Sequence, residues 1–362
     1  MRNSCMICRE RLSVTSNDST IQYCTRCKVQ DESPTNGQVQ GRISLISTIL
    51  AKAKTRISRS SSKYESLNYA ASDFANSSSN PEAGPRKRAL LIGVTYKRLK
   101  YKLKGPIIDV QRMRDLLVDD FNFPVKNIRV LTEEEPNPEF TPNKKNIQKS
   151  MEWLVRDCQK GDSLVFYFSG HGLRQPDFEG DESDQFDETI LPVDFMQEGM
   201  IVDNEIYSTM IRPLEEGVIL HAFVDTCHSG TMLDLLYVYD REGKKWKDDS
   251  PPSGSKQPSK GGLAISISAC RDDQKAADTS SCIGKRKMIG GAMTYILVDI
   301  LKKNRKITYG ELLDSMYKFL DEANQGCLAK RMLKRVLSET LTQKPQLSAS
   351  QEFDVYKKLF VL

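Results

Sequence analysis

From about residue 86 onward, short apolar runs alternate with amphipathic stretches, and this alternation limits the folds open to the chain more than any other feature. Ala89–Val94, Ile128–Leu131, Ser163–Ser169, Val218–Asp225 and Leu263–Ala269 are short and mostly apolar, as a strand buried on both faces must be. Helical spacing runs through Ile108–Asp119, Asn143–Asp157 and Asn204–Ile211, then through Gly291–Lys302 and Tyr309–Ala323. Strands separated by helices require crossover connections, so the expected fold class is an α/β sandwich with a mostly parallel central sheet flanked by helices. No internal repeat is visible.

Composition sets the outer limits. A chain of 362 residues with 39% hydrophobic residues can build one large core or two modest ones, which excludes wholesale disorder. A net charge of +5 over that length is too weak to indicate nucleic acid. No apolar run approaches the roughly eighteen residues of a membrane span, and Met1–Cys5 begins no signal peptide. The expectation is a soluble, monomeric protein of the cytoplasm and also of the nucleus.

Three regions differ in character. Residues 1–30 hold Cys5, Cys8, Cys24 and Cys27 as two CxxC pairs, the spacing of a four-thiolate zinc ribbon. Some thirty residues bury little core, so zinc would supply most of that module's folding free energy. Residues 31–85 are rich in Ser, Asn and Pro and read as a disordered, flexible linker. Within it, Arg42 to Ile57 could form a basic amphipathic helix on a partner or an anionic surface, the plainer reading being a transient helix in solvent. Residues 86–362 form the third region: a larger part to 239, a polar stretch at 240–262 read as an exposed loop, and a smaller part from 263.

The chemistry gathers at two strand ends. Ser163–Ser169 runs into Gly170-His171-Gly172, and Val218–Asp225 into Thr226-Cys227-His228-Ser229-Gly230. Ligands of an open α/β sheet bind at the C-terminal ends of its strands, so these loops could bring together residues 56 apart in sequence. An imidazole beside a thiol lowers the thiol pKa and later protonates a departing amine, so Cys227 with His171 suffices for acyl transfer. The flanking glycines expose backbone N–H groups, and Gly172 and Cys227 are the expected oxyanion donors. His221, inside a strand, and His228, beside the thiol, read as structural.

The segments Tyr167–Gly172, Ile190-Leu191-Pro192-Val193-Asp194, Asp225–Gly230 and Pro345-Gln346-Leu347-Ser348 together resemble plant type I metacaspases over roughly residues 86–362. That resemblance implies a caspase-like sandwich, a Cys227–His171 dyad, cleavage of proteins and peptides after Arg or Lys, self-cleavage and a role in programmed cell death. A basic side chain before the scissile bond needs a sheltered carboxylate, and Asp225, two residues before the nucleophile on an extended chain, shares its face. By resemblance Asp109 supplies the second carboxylate, although Pro106 and Ile108 stand where the family has Cys and Asn. The resemblance also implies an activating calcium ion on Asp187, Asp203, Asn204 and Asp234. The run Asp177–Glu188, with seven carboxylates in twelve residues, fits a hard cation or plain solvation. The cysteine pairs resemble a plant lesion-simulating-disease zinc finger lacking its Tyr-Pro-x-Gly-Ala segment, which suggests protein partners for the finger. Two rival readings follow: a zinc-finger interaction or regulatory protein whose peptidase domain is secondary, and a nucleic-acid-binding finger, which the sparse basic and aromatic residues do not favour. Arg241, Lys244, Lys245 and Lys247 offer places for self-cleavage.

Overall fold

A computed structural model of the chain describes residues 85–177, 186–226, 229–250, 259–269, 291–325 and 344–362, and the backbone of 13–14, 21–24, 29–32, 282–283 and 286–287. It divides into two units, Met1–Glu82 and Ala83–Leu362. In the first, β1 (Ser13–Val14), β2 (Ile21–Cys24) and β3 (Val29–Glu32) form an antiparallel sheet in that order. Cys24 ends β2, whereas Cys5, Cys8, Cys27 and the basic stretch Arg42 to Ile57 lie outside the described residues.

The second unit is built on an eight-stranded sheet. Its elements are β4 (Lys87–Gly93), α1 (Pro106–Asp115), β5 (Ile128–Thr132), α2 (Lys144–Val155), β6 (Ser163–Ser169), β7 (Gly172–Pro176), β8 (Phe186–Ile190), α3 (Phe195–Glu198), β9 (Ile201–Val202) and α4 (Asp203–Ile206). They continue through β10 (Ile219–Asp225), β11 (Tyr237–Asp240), β12 (Lys245–Asp248), β13 (Leu263–Ser268), a short β14–β15 pair (Cys282–Ile283, Arg286–Lys287), α5 (Ala292–Lys303), α6 (Tyr309–Gln325) and β16 (Gln346–Ala349). All five apolar runs are strands. Both faces of the sheet are covered, which is why these strands carry no polar face. Register aligns Val130, Leu91, Tyr167, Phe223, Ile267 and Leu347 across the sheet, and this row packs with Val110, Met113, Ile296, Leu297 and Leu312 of the helices.

The strand order is β12-β11-β16-β13-β10-β6-β4-β5. Strands β13 through β5 pair in parallel, whereas β16, β11 and β12 pair antiparallel. The sheet is therefore mixed, and the expectation of a mostly parallel one is corrected. The antiparallel strands are four residues each, too short and polar to register as buried runs. The stretch from 240, read as an exposed loop, begins with the β11–β12 hairpin, whose turn is tied by the Glu242 and Gly243 N–H groups on Asp240 Oδ1. Trp246 anchors it. Its ring lies 5.3 Å from Tyr239 and 5.1 Å from Phe353, and its Nε1 donates to the Phe353 carbonyl at 2.8 Å. Residues 251–258 lie outside the described residues.

Beyond the end of β6, strands β7, β8 and β9 form a separate antiparallel sheet that the sequence reading did not anticipate. At the end of β4, a Cβ on Gly93 would stand 2.9 Å from the Pro106 carbonyl oxygen, so only glycine lets α1 pass this close. That approach brings Asp109 against the sheet. No helix among the described residues is long and apolar enough to cross a membrane.

Replacing Trp246 with alanine is expected to lower stability to urea by about 2–3 kcal/mol, while Lys245→Ala on the exposed side of the same strand changes it little. Equal effects from the two would show that the hairpin is not anchored through Trp246.

Candidate active site

Strands β6 and β10 are neighbours and parallel, with Ser169 opposite Asp225. His171 follows the end of β6 by two residues and Thr226 the end of β10 by one, so the two chains leave adjacent strands at one edge of the sheet. Cys227 and His228 themselves lie outside the described residues. His221 is buried within β10, with its Nε2 2.6 Å from the Tyr309 hydroxyl. Burial, helped by the charge of Lys358, pushes its pKa down to about 3, so it is a neutral core group.

The surroundings of His171 are built largely by one tyrosine. Tyr96 is 1% exposed; its hydroxyl accepts the His171 backbone N–H at 2.9 Å and donates to the Leu191 carbonyl at 2.7 Å. Its ring lies 4.6 Å from the imidazole. Tyr96 has φ 53°, a left-handed conformation that a tyrosine rarely adopts. Glu133 holds that backbone by accepting the N–H groups of Thr95, Tyr96 and Lys97. At the outer edge of the ring, His171 Nε2 lies 2.7 Å from the Tyr101 carbonyl oxygen. A carbonyl only accepts, so Nε2 carries a proton and the neutral ring keeps Nδ1 as its base. The Leu191 N–H donates to the His171 carbonyl, which makes Gly172 and Ile190 a non-hydrogen-bonded pair. The Gly172 N–H therefore points away from β8, as an oxyanion donor requires.

Asp109 and Asp225 meet at the N-terminus of α5. Asp109 is fully buried and its Oδ2 accepts the Gly291 N–H at 2.6 Å. Asp225, 6% exposed, accepts at Oδ2 the Thr294 N–H at 3.0 Å and the Thr294 hydroxyl at 2.6 Å. The first-turn N–H groups of a helix favour anions, so this end suits two carboxylates. A Cβ at Gly291 would lie 2.0 Å from Asp225 Oδ2, hence the glycine. Burial and the neighbouring Asp225 charge push the Asp109 pKa up to about 8, opposed by the Gly291 N–H and by Arg112. The Tyr167 hydroxyl, 2.8 Å from Thr294 Oγ1, is raised by burial and by both acids.

Comparison with known proteins places the chain in a family. Residues 87–236 match the family described as metacaspase, peptidase C14 domain. Metacaspase-1 of Arabidopsis thaliana is 44% identical over 296 residues, covering 78% of this chain and 80% of that protein. The chain belongs to the metacaspase family. It is a caspase-like cysteine-type endopeptidase, and its substrates are proteins. Metacaspase-2 of the same plant is 42% identical over 311 residues, covering 78% of this chain and 74% of its own. Among solved structures, a Geobacter sulfurreducens protein shares the fold, with a TM-score of 0.50 at 19% identity over 77% of this chain and 99% of that one.

This metacaspase also gathers acids beside β8. Asp187, Glu188, Asp203 and Asp234 are all buried. Glu188 N–H donates to Asp203 Oδ2 at 2.6 Å, and Asn204 N–H to Asp203 Oδ1 at 2.8 Å. Gln175 donates to Asp187, while Glu188 takes Arg174 and the Thr231 hydroxyl. Asp234, with φ 50°, donates its N–H to the Thr231 carbonyl. Hard carboxylate and amide oxygens are the donors calcium takes. Among the described residues, however, no three His, Cys, Asp or Glu side chains stand close enough to hold a metal ion as arranged. Roles for Tyr96, Glu133, the Tyr101 carbonyl, Gly291 and Thr294 were not expected from the sequence; of these only Gly291, a glycine at the start of the amphipathic run Gly291–Lys302, had a signal to find.

A carboxyl group whose folded pKa is raised stabilises the fold below its unfolded pKa and loses that contribution as pH climbs through the folded value. For Asp109 the window runs from about 4 to about 8. Asp109→Asn is expected to flatten the decline in urea stability across it; a decline as steep as wild type would mean that the buried acid does not titrate there.

Proposed function

We propose that this metacaspase cleaves peptide bonds after Arg or Lys, using Cys227 as nucleophile and His171 as base. The observation that carries the reading is the parallel register of β6 with β10, which starts both loops at one edge beside the buried pair Asp109 and Asp225. In the proposed sequence His171 Nδ1 takes the thiol proton while Nε2–H stays on the Tyr101 carbonyl. The thiolate attacks the carbonyl carbon after the basic residue, and the Gly172 and Cys227 N–H groups hold the oxyanion. The imidazolium returns its proton to the leaving amine, and water then hydrolyses the thioester. Asp109 and Asp225 together would balance the substrate's positive charge.

Calcium would be held by Asp187, Asp203, Asn204 and Asp234, after small movements of the acids around β8. It would neutralise their mutual repulsion and tie β8 to the segments that follow it. The amide of Asn204 keeps an oxygen ligand but drops a charge, so the affinity would be modest. Zinc would sit on Cys5, Cys8, Cys24 and Cys27, four thiolates of a small module that would otherwise have little to hold it together; the finger would recruit protein partners. Self-cleavage at Arg241, Lys244, Lys245 or Lys247 would require the β11–β12 hairpin to open, since a protease reads an extended chain.

The test is hydrolysis of fluorogenic peptides ending in Arg, Lys or Asp, with and without calcium. Arg and Lys peptides should be cut, faster with calcium, and Cys227→Ala or His171→Ala should lower kcat by about a thousandfold or more. Asp225→Asn should cost about a hundredfold in kcat/KM through loss of a buried charge partner. Preference for Asp peptides, or full activity in Cys227→Ala, would overturn the reading. Full cellular function of Cys227→Ala would instead favour the interaction-protein alternative.

Tyr96→Phe keeps the ring and removes the hydroxyl that links His171 to Leu191. It should lower kcat about tenfold with KM unchanged; a change confined to KM would show that Tyr96 does not orient the imidazole.

A further inference from the structure

The acidic pocket already holds a guanidinium. Arg112 lies one turn beyond Asp109 on α1, and its Nη1 reaches Asp109 Oδ1 at 3.2 Å. The Asp109 side chain is fully buried, while 28% of the Arg112 side chain is exposed. Its Cζ lies 5.5 Å from the centre of the Tyr295 ring on α5, the helix whose first turn holds both acids. A lone Asp–Arg pair three residues apart on a helix is ordinarily a surface contact of small consequence. Here its acid is one of the two proposed to read the substrate.

We propose that Arg112 is a resident competitor for the substrate's basic side chain and thereby sets how tightly the pocket binds Arg or Lys. The inference rests on the reading of Asp109 and Asp225 as the substrate-binding pair. An incoming guanidinium or ammonium needs the Asp109 oxygen that Arg112 already contacts. Two cations held about 4 Å apart near a protein surface repel by roughly 4 kcal/mol, so they do not share that oxygen comfortably.

Arg112 can yield. Its 3.2 Å contact with Asp109 is long for a charge-assisted hydrogen bond, and its guanidinium already lies over the Tyr295 ring, a contact it can keep while the one to Asp109 opens. Asp109 keeps the Gly291 N–H throughout, so the exchange leaves no bare buried charge. Asp225 and Arg112 offset one another in the free site, where burial favours a protonated Asp109; displacement of Arg112 leaves Asp225 to the incoming cation, and Asp109 can ionise as that charge arrives.

The test is steady-state kinetics of the full chain on Arg and Lys peptides with calcium present, together with inhibition by free arginine amide, which reports binding without chemistry. Arg112→Gln should lower KM for the Arg peptide, and the inhibition constant of arginine amide, by about three- to tenfold with kcat little changed. Arg112→Lys keeps a cation there and should stay near wild type. Arg112→Met retains the stem against Tyr295 and should behave like Arg112→Gln, which separates competition from lost packing. Unchanged or raised KM and inhibition constants in both neutral variants overturn the proposal. If Asp109→Asn also leaves arginine amide inhibition of the wild-type strength, the pocket reading itself has failed, and the proposal falls with it; if Asp109→Asn weakens inhibition while the Arg112 variants do nothing, only the competitor role is lost.

Discussion

The pairing of Ser163–Ser169 with Ile219–Asp225 underlies everything the site does. Because the two strands run in parallel, both chains leave the sheet at the same end. An antiparallel pair of the same seven residues would separate those exits by about 20 Å, the length of the strands themselves. Parallel pairing requires a long crossover, and here the crossover carries β7, β8, β9 and the buried acids Asp187, Glu188 and Asp203. The core row through Leu91, Tyr167 and Phe223 holds the register, since a slip of one residue would turn each of these side chains to the opposite face.

Around that edge the protein accumulates buried negative charge and then compensates for it. Asp109 and Asp225 would repel one another without partners, and the raised pKa of Asp109 records the cost of burying it. Helix α5 starts where its unpaired N–H groups meet both acids, and Arg112 adds a cation from α1. Nearby, His171 has its backbone N–H on a tyrosine hydroxyl and its Nε2 on a backbone carbonyl. The buried acids and the groups around His171 thus come from different elements: α1, β10 and α5 for the first, the segments around Tyr96 and Tyr101 for the second.

Much of this architecture was legible from the chain. The five apolar strands and the long helices fall where hydrophobic spacing placed them, with boundaries shifted by a residue or two except at the end of α1, where the last predicted turn is a wider helical turn over Leu116–Asp120. His171 and Gly172 stand out because glycines flank a polar residue at a strand end. Asp225 ends an apolar strand, where a carboxylate is out of place in a core run. The antiparallel strands escaped notice because a short edge strand such as Lys245–Asp248 buries only Trp246, and one apolar residue among charges does not resemble a core element. Tyr96 escaped for another reason: its importance lies in a positive φ held by Glu133, and no residue type announces that geometry.

By itself the order of residues determined which groups are available: a thiol and an imidazole after two apolar runs, carboxylates at 109 and 225, and a string of strands and helices that must form a layered α/β domain. Periodicity is local, so it survives in one dimension. Tertiary structure alone decided that Asp109 and Asp225 share one helix terminus, that Arg112 lies over the Tyr295 ring, and that the Tyr101 carbonyl selects the protonated nitrogen of His171. Those relations join residues far apart in the chain, Asp109 and Gly291 by 182 positions, and only the closure of the sheet brings them into contact.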